Sequence, residues 1–477
     1  MKIELIERHP WLFEIPKKES MNVPGFVFAS KDMIDAIRHE EGLRQVIHMS
    51  QLPGIVKAAM GMPDIHSGYG FPIGGVAAFD WQNGVISPGG VGYDINCGVR
   101  LIRSLLEKND IDNYLETIIN HLFQQIPSGV GGKNKKFRGD LAAVVKQGSQ
   151  WAVKKGYGEQ RDLLFTEENG CMPVEDIDAI SNKAFERGKR QLCTLGGGNH
   201  FLEIDVVDEI FDSTTARTFG LFENQVVILM HTGSRGFGYQ ICDDYIKLMQ
   251  KNILTQDILI ANSQLACMPI SSPQGQAYYS AMSGAANFAW TNRQIMTHVV
   301  RQIFESVLNK SPGELGMDLV YDLSHNIAKK EQHIIDGKKQ TLCVHRKGAT
   351  RAFGPGHQSL PLEYQQTGQP VIVPGDMGTA SFVLCGTQQA MEKTFGSACH
   401  GAGRILSRSA AKKAAKGRAI AEELQDNGIV VRYKGRNTLA EEMPDAYKNI
   451  SDVVEVIAQA GIAKKVARVR PIGVIKG

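Results

Sequence analysis

No run of apolar residues in this 477-residue chain approaches the roughly 20 needed to span a bilayer. The segment Met1 to Ser20 mixes Lys, Glu and Arg throughout and lacks the apolar stretch of a signal peptide. A membrane protein is therefore not expected, and the sequence reads as cytoplasmic. No C-x-x-C pair occurs either. The eight cysteines (Cys97, Cys171, Cys193, Cys242, Cys267, Cys343, Cys385 and Cys399) are scattered too widely for a secreted disulfide framework. Charge of one sign is scarce: 53 Lys and Arg stand against 50 Asp and Glu, a net +3. The global field thus marks no nucleic-acid binder, and such affinity has to come from local clusters. P-loop and G-x-G-x-x-G fingerprints, fixed-period repeats and Pro/Ser linker tracts are all missing. What is present, 43% hydrophobic and 22% charged residues, is the composition of a globular chain with a sizeable core.

Residues 1 to about 60 read as a polar lead-in with helical spacing over Asp32 to His48. From Met62 to Arg103 glycine is dense and short β-type runs alternate with turns. A helical stretch at about 110–190 carries a basic loop, Gly131 to Arg138. Strands are expected at Phe201–Ile204, Gln225–Met230, Leu319–Asp322, Gln340–His345 and Gln369–Val373. Helices are expected over Asp243–Leu308 and, rich in Ala, Lys and Arg, over Gly403–Glu423. The expectation is one integrated α+β domain over residues 1–477, a β-sheet core with flanking helices, a helical insert and active-site loops at strand ends.

Five glycine-flanked turns gather His, Cys, Asp and Asn: Gly92 to Gly98, Gly196 to His200, His231 to Gly236, Ser324 to Asn326 and Cys399 to Arg404. Taken alone, each histidine is more often structural than a ligand. Five turns with one local grammar shift that balance. Asp94, Cys97, His200, His231 and His325 supply carboxylate, thiolate and imidazole donors suited to Mn²⁺ or Zn²⁺. His400, read as the start of the Ala/Lys/Arg helix, would meet an anion at a helix N-terminus, as ligand, base or nucleophile. The basic residues Lys133, Lys135, Lys136 and Arg138, the run His345-Arg346-Lys347 with Arg351, and Arg404, Arg408, Lys412 and Lys413 could follow a phosphate backbone. Lys412, Lys413 and Lys416 are equally well a solvated helix face.

The stretches MPDIHSGYGFPIGGVAAFD from Met62, SPGGVGYDINCGVRL from Ser87, LGGGNHFLEI from Leu195 and HTGSRGFGYQI from His231 make the chain similar to the RtcB family of RNA-splicing and RNA-repair ligases. HRKGATRAFGPGH from His345, PGDMGTASFVLCGT from Pro374, FGSACHGAGR from Phe395 and the terminal VIKG extend the resemblance over the whole chain. It implies a GTP- and Mn²⁺-dependent ligase, with Zn²⁺ or Co²⁺ as alternative ions, whose substrates are tRNA halves or broken RNA. Such an enzyme opens a 2′,3′-cyclic phosphate to a 3′-phosphate, activates it with GMP and seals it to a 5′-hydroxyl. An archease-type protein is the implied activating partner.

By the same resemblance His400 is the nucleophile that takes up GMP, and Cys97 bridges two ions held by Asp94, His200, His231 and His325. Guanylate contacts fall on Asn199, His200, Phe201, Leu202, Glu203, His325, Asn326, Pro374, Gly375, Asp376, Met377, Ser381, His400, Gly401, Ala402, Gly403, Tyr447 and Lys476. RNA or phosphate contacts fall on Asp64, Arg235, Lys347, Arg351 and Arg408, with Asp64 also a candidate base. Asp376 departs from the family's serine, and a carboxylate there suits guanine N–H groups better than a phosphate. A dinuclear phosphoesterase would use the same metal donors but gives His400 and Lys476 no role. A non-catalytic RNA- or GTP-binding module leaves the thiolate-containing set unexplained.

Overall fold

The computed structural model describes residues 3–135, 140–252 and 258–477. Two large sheets carry the architecture. The first has seven strands in the order Ile6–His9, Leu12–Ile15, Gly25–Phe28, Ala59–His66, Ile73–Asp80, Lys338–Lys347 and Asn326–Ile335. Its neighbours are antiparallel except Gly25–Phe28 beside Ala59–His66. The second has eight strands. Along its path run Leu319–Ser324, Gly98–Glu107, Gln225–Thr232, Phe201–Ile210, Ala463–Lys476, Ser381–Gly386 and Pro370–Val373, and Val430–Tyr433 adds in parallel to Ala463–Lys476. The mixed α and β composition and the expected strands at 201, 225, 319, 340 and 369 are all present. So are helices through 110–190, among them Leu115–Gln125, Leu141–Gln147 and Asn182–Gly188.

Three expectations need correction. The polar lead-in contains three short strands, because Leu12-Phe13-Glu14-Ile15 alternates: Phe13 and Ile15 are buried while Leu12 and Glu14 are only partly so. The helix expected over Asp243–Leu308 is two, Arg235–Asn252 and Pro273–Leu308. Pro273 fits only a first helical position, and the Ser272 hydroxyl accepts from Gly275 N to cap that start. The Ala/Lys/Arg helix is also two, Arg408–Ala414 and Ile420–Asp426, separated at Gly417 with φ 86°. Lys136 and Arg138 of the basic loop lie outside the described residues.

The helix Pro273–Leu308 is buried along most of its length and is the pin of the structure. Several of its buried polar side chains bond to the backbone of neighbouring segments. Asn287 donates to Val145 O and Met172 O, and Asn292 donates to Thr194 O while accepting from Thr194 N. Arg293 donates to Asn96 O at 2.9 Å and Thr232 O at 2.8 Å, tying together two of the glycine-flanked turns. Among the described residues no helix is long and apolar enough to cross a membrane.

Candidate active site

The donor-bearing turns meet because their strands are neighbours. Gly98–Glu107 lies between Leu319–Ser324 and Gln225–Thr232, and the latter pairs with Phe201–Ile210. Cys97, His231, His200 and His325 therefore sit at one end of the same sheet, each one residue from or just inside a strand terminus. Cys97 Sγ lies 3.2 Å from Nε2 of His200 and 3.2 Å from Nε2 of His231. His231 Nε2 is 3.3 Å from His325 Nε2, and Asp94 Oδ2 is 2.9 Å from His200 Nε2. Two donor groups result, Asp94–Cys97–His200 and Cys97–His231–His325, with all ligating atoms in each within 4.8 Å of one another.

Donors at about 2.0–2.3 Å around one tetrahedral cation stand roughly 3.3–3.7 Å apart. Separations of 2.9–3.3 Å are slightly shorter than those of donors sharing one ion, so small outward shifts would seat a cation. Burial, then the neighbouring histidines, depresses His231 and His325 well below the ordinary imidazole range, so both are neutral and have lone pairs to give. Burial, then the Asp94 carboxylate, pushes the Cys97 thiol up. A thiolate there needs a cation beside it.

His400 stands next to this cluster, its ring centroid 4.8 Å from that of His325. It does not open a helix, as the sequence reading has it. It follows the strand Ser397–Cys399, and the next helix starts only at Arg408, capped by Ser407. What positions it is Asp64: Oδ2 accepts from His400 N at 3.1 Å and lies 2.6 Å from Nδ1. Asp64 is fully buried, and Lys448 steadies its strand by donating to Pro63 O and Ile65 O. Two glycines make room. A Cβ on Gly403 (φ 75°) would come within 2.4 Å of Asp64 O, and one on Gly348 (φ 60°) within 3.1 Å of His400 Cε1. Burial also takes His66, beside Asp64, down to about 4.

A cavity of about 370 Å³ opens over His400 and the Cys97–His231–His325 group. Of the positions assigned to guanylate, Asn199, Phe201, Glu203, His325, Asn326, Pro374 to Met377, His400 to Gly403, Tyr447 and Lys476 line it. Burial, then Asp205, raises the Glu203 carboxyl, and burial lowers the Lys476 ammonium. Asp376 spends its carboxylate on its own turn, accepting from Gly378 N at 2.9 Å and Thr379 Oγ1 at 2.8 Å. Arg404 donates to both Tyr447 OH and Glu442 Oε2, which fixes the tyrosine ring at the cleft wall.

Leu202, Ser381, Arg351 and the buried Asp64 do not line the cleft, and His200 and Arg235 line the adjoining groove instead. Leu202 alternates with Phe201 and Glu203, so its side chain faces the core. Ser381 braces the cleft from behind, accepting from Gly375 N at 3.1 Å. Arg351 is only 2% exposed and faces no groove: it donates to Glu168 Oε1 at 2.8 Å and Gln369 Oε1 at 3.1 Å. A cation beside a glycine turn reads as an anion site in sequence, but this one's anion is internal. Lys347, in contrast, reaches the cleft, its ammonium donating to Tyr69 O and Gly89 O. Arg235, at φ 56°, donates to His200 Nδ1 at 2.9 Å, and Arg408 is 59% exposed at the mouth.

Sequence reasoning missed the support beneath the donors. Asp322 accepts from Arg100 Nε at 2.7 Å and from Arg293 Nε at 2.8 Å, all three fully buried. The available signal was a charge inside each apolar run, as in Val99-Arg100-Leu101 and Tyr321-Asp322-Leu323.

The sequence profile of the family described as “tRNA-splicing ligase RtcB” matches residues 45–477. A tRNA-splicing ligase RtcB of Archaeoglobus fulgidus is 48% identical over 479 residues, 100% of this chain and 99% of that protein. One of Methanococcus maripaludis is 50% identical over 462 residues, 96% of each chain. One of Thermococcus kodakarensis is 49% identical over 478 residues, 100% of this chain and 99% of that protein.

Proposed function

This chain belongs to the RtcB family, and from that premise we propose that it is an RNA ligase of tRNA splicing or RNA repair that carries GMP on His400. The observation that carries the reading is the His400–Asp64 pair. A carboxylate 2.6 Å from Nδ1 keeps the proton on that nitrogen, leaving Nε2 with a lone pair for attack. In the first step His400 Nε2 bonds to the α-phosphorus of GTP and pyrophosphate leaves. In the second, an RNA 3′-phosphate oxygen attacks the same phosphorus, the N–P bond breaks and His400 is freed. In the third, a 5′-hydroxyl attacks the activated 3′-phosphate, GMP departs and the phosphodiester is closed. RNA ending in a 2′,3′-cyclic phosphate enters after hydrolysis to the 3′-phosphate.

Mn²⁺ ions held by Asp94, Cys97, His200, His231 and His325 would neutralise phosphate charge throughout. The residues divide the remaining labour. Asp64 orients the nucleophile and spreads its positive charge once the N–P bond forms. Glu203 and Lys476 offer an acceptor and a donor to the base. Lys347, Arg235 and Arg408 offer cations to the RNA phosphates.

The protein incubated with Mn²⁺ and GTP radiolabelled at the α-phosphate is expected to acquire label that survives denaturation, resists alkali and is lost in acid. His400→Ala should take up none and still fold by circular dichroism, and stripping the metal with a chelator should abolish label reversibly. Full labelling of His400→Ala at another residue overturns the assignment.

A further inference from the structure

Cations that grip phosphates hold a strand but leave its bases unplaced. A groove of about 1470 Å³ continues from Asn199 and His200 and is walled by basic residues including Lys133, Arg187, Arg190 and Arg408. Within that wall stand two aromatic rings. Tyr93 and Tyr239 stack with centroids 4.8 Å apart and planes inclined by 24°. The Arg187 guanidinium lies 4.9 Å from the Tyr239 centroid and is anchored by donating to Gln240 Oε1 at 2.8 Å. On the inner side Tyr69 meets Tyr93 edge-on at 5.5 Å. Tyr93 borders both the cleft over His400 and the groove, so the column joins the two.

Tyr239 keeps 44% of its surface exposed although it belongs to a helix that buries Phe237 and Ile241 completely or nearly so. Core packing does not account for a ring held there. Nucleobase recognition does, because every base has a π face that stacks on tyrosine or on a guanidinium plane regardless of sequence. A neighbouring cation strengthens such stacks. Position matters as much as chemistry. The column begins at Tyr93, next to Asp94 in the chain and on the wall of the cleft over His400, and ends among the groove cations.

We propose that Tyr93, Tyr239 and Arg187 form a stacking platform for the base at a single-stranded RNA end, seating the nucleotide next to the ligation junction. The proposal rests on the ligase reading above. Tyr239 acts on position, not on the reacting atoms, so its loss belongs in KM.

The test is steady sealing of a 3′-phosphate strand to a 5′-hydroxyl strand, with an abasic nucleotide placed at the terminal position of one strand or the other. For the wild-type enzyme, the abasic sugar at one of the two ends is expected to raise KM about 5- to 100-fold, the range of one base–aromatic stack, with kcat nearly unchanged. Tyr239→Ala should show the raised KM with ordinary RNA and no further penalty from the abasic end. Tyr239→Phe should restore the wild-type pattern. An abasic penalty equal in wild type and Tyr239→Ala, or none at either end, overturns the platform while leaving the ligase reading in place. Wild-type protein that takes up no GMP label overturns both.

Discussion

At the scale of single residues the site depends on which atom carries a proton. Asp64 fixes the tautomer of His400, so Asp64→Asn, nearly the same size, is expected to slow GMP uptake about 10²-fold or more without unfolding the protein. Single-turnover labelling rates would show it, and an unchanged rate would remove Asp64 from the mechanism. Lys347 offers a second handle. Burial brings its ammonium down to about 8, so it is charged below that pH and neutral above it. Sealing is therefore expected to fall as pH rises through about 8, and Lys347→Met should lose that alkaline limb together with activity. The candidate metal donors were legible in the sequence because each sits in a glycine-flanked turn. Asp64 was legible only as a candidate base. Its partnership with His400 joins residues 336 apart, and no local pattern reports such a distance.

At the scale of elements, strands and helices deliver these residues through buried ion networks. Asp322 neutralises Arg100 and Arg293, and Arg293 in turn binds the turns of Asn96 and Thr232. Asp322→Ala leaves two buried guanidinium groups unpaired and is expected to cost about 3–5 kcal/mol, read from denaturant unfolding. A second network gathers Lys329 and Arg351 around Glu167 and Glu168. Burial alone would raise the Glu167 carboxyl, but Lys329 and then Arg351 hold it at about 2, below its ordinary 4.5. Its contribution is complete above pH 4.5 and is lost as the pH falls toward 2. Arg351→Ala should thus lower stability and shift acid unfolding upward instead of acting on RNA alone; a variant with unchanged stability and weakened RNA binding would reverse that view. Long apolar strands such as Gln225–Thr232 announced themselves by composition. The short ones near the start did not, because four-residue strands at a sheet margin alternate too briefly to stand out among charges.

At the scale of the whole molecule, the cleft takes residues from His66 to Lys476, drawn from both large sheets. The mixed fold class follows from the texture of the sequence, whereas the strand order does not, since it is set by pairings hundreds of residues apart. One pairing has a temporal meaning. Ala463–Lys476 fills the middle of the eight-stranded sheet, flanked by Phe201–Ile210 on one edge and by Ser381–Gly386 and Val430–Tyr433 on the other. A ribosome delivers that strand after every neighbour it joins. Until then the largest sheet stands split, and Lys476 is missing from the cleft that Glu203 shares. A chain cut after Ile462 is accordingly expected to take up no GMP, even with every metal donor and His400 already synthesised. On this reading translation acts as a safety catch: while the polypeptide is still being made, it is expected neither to load a nucleotide nor to seal the RNA ends around it.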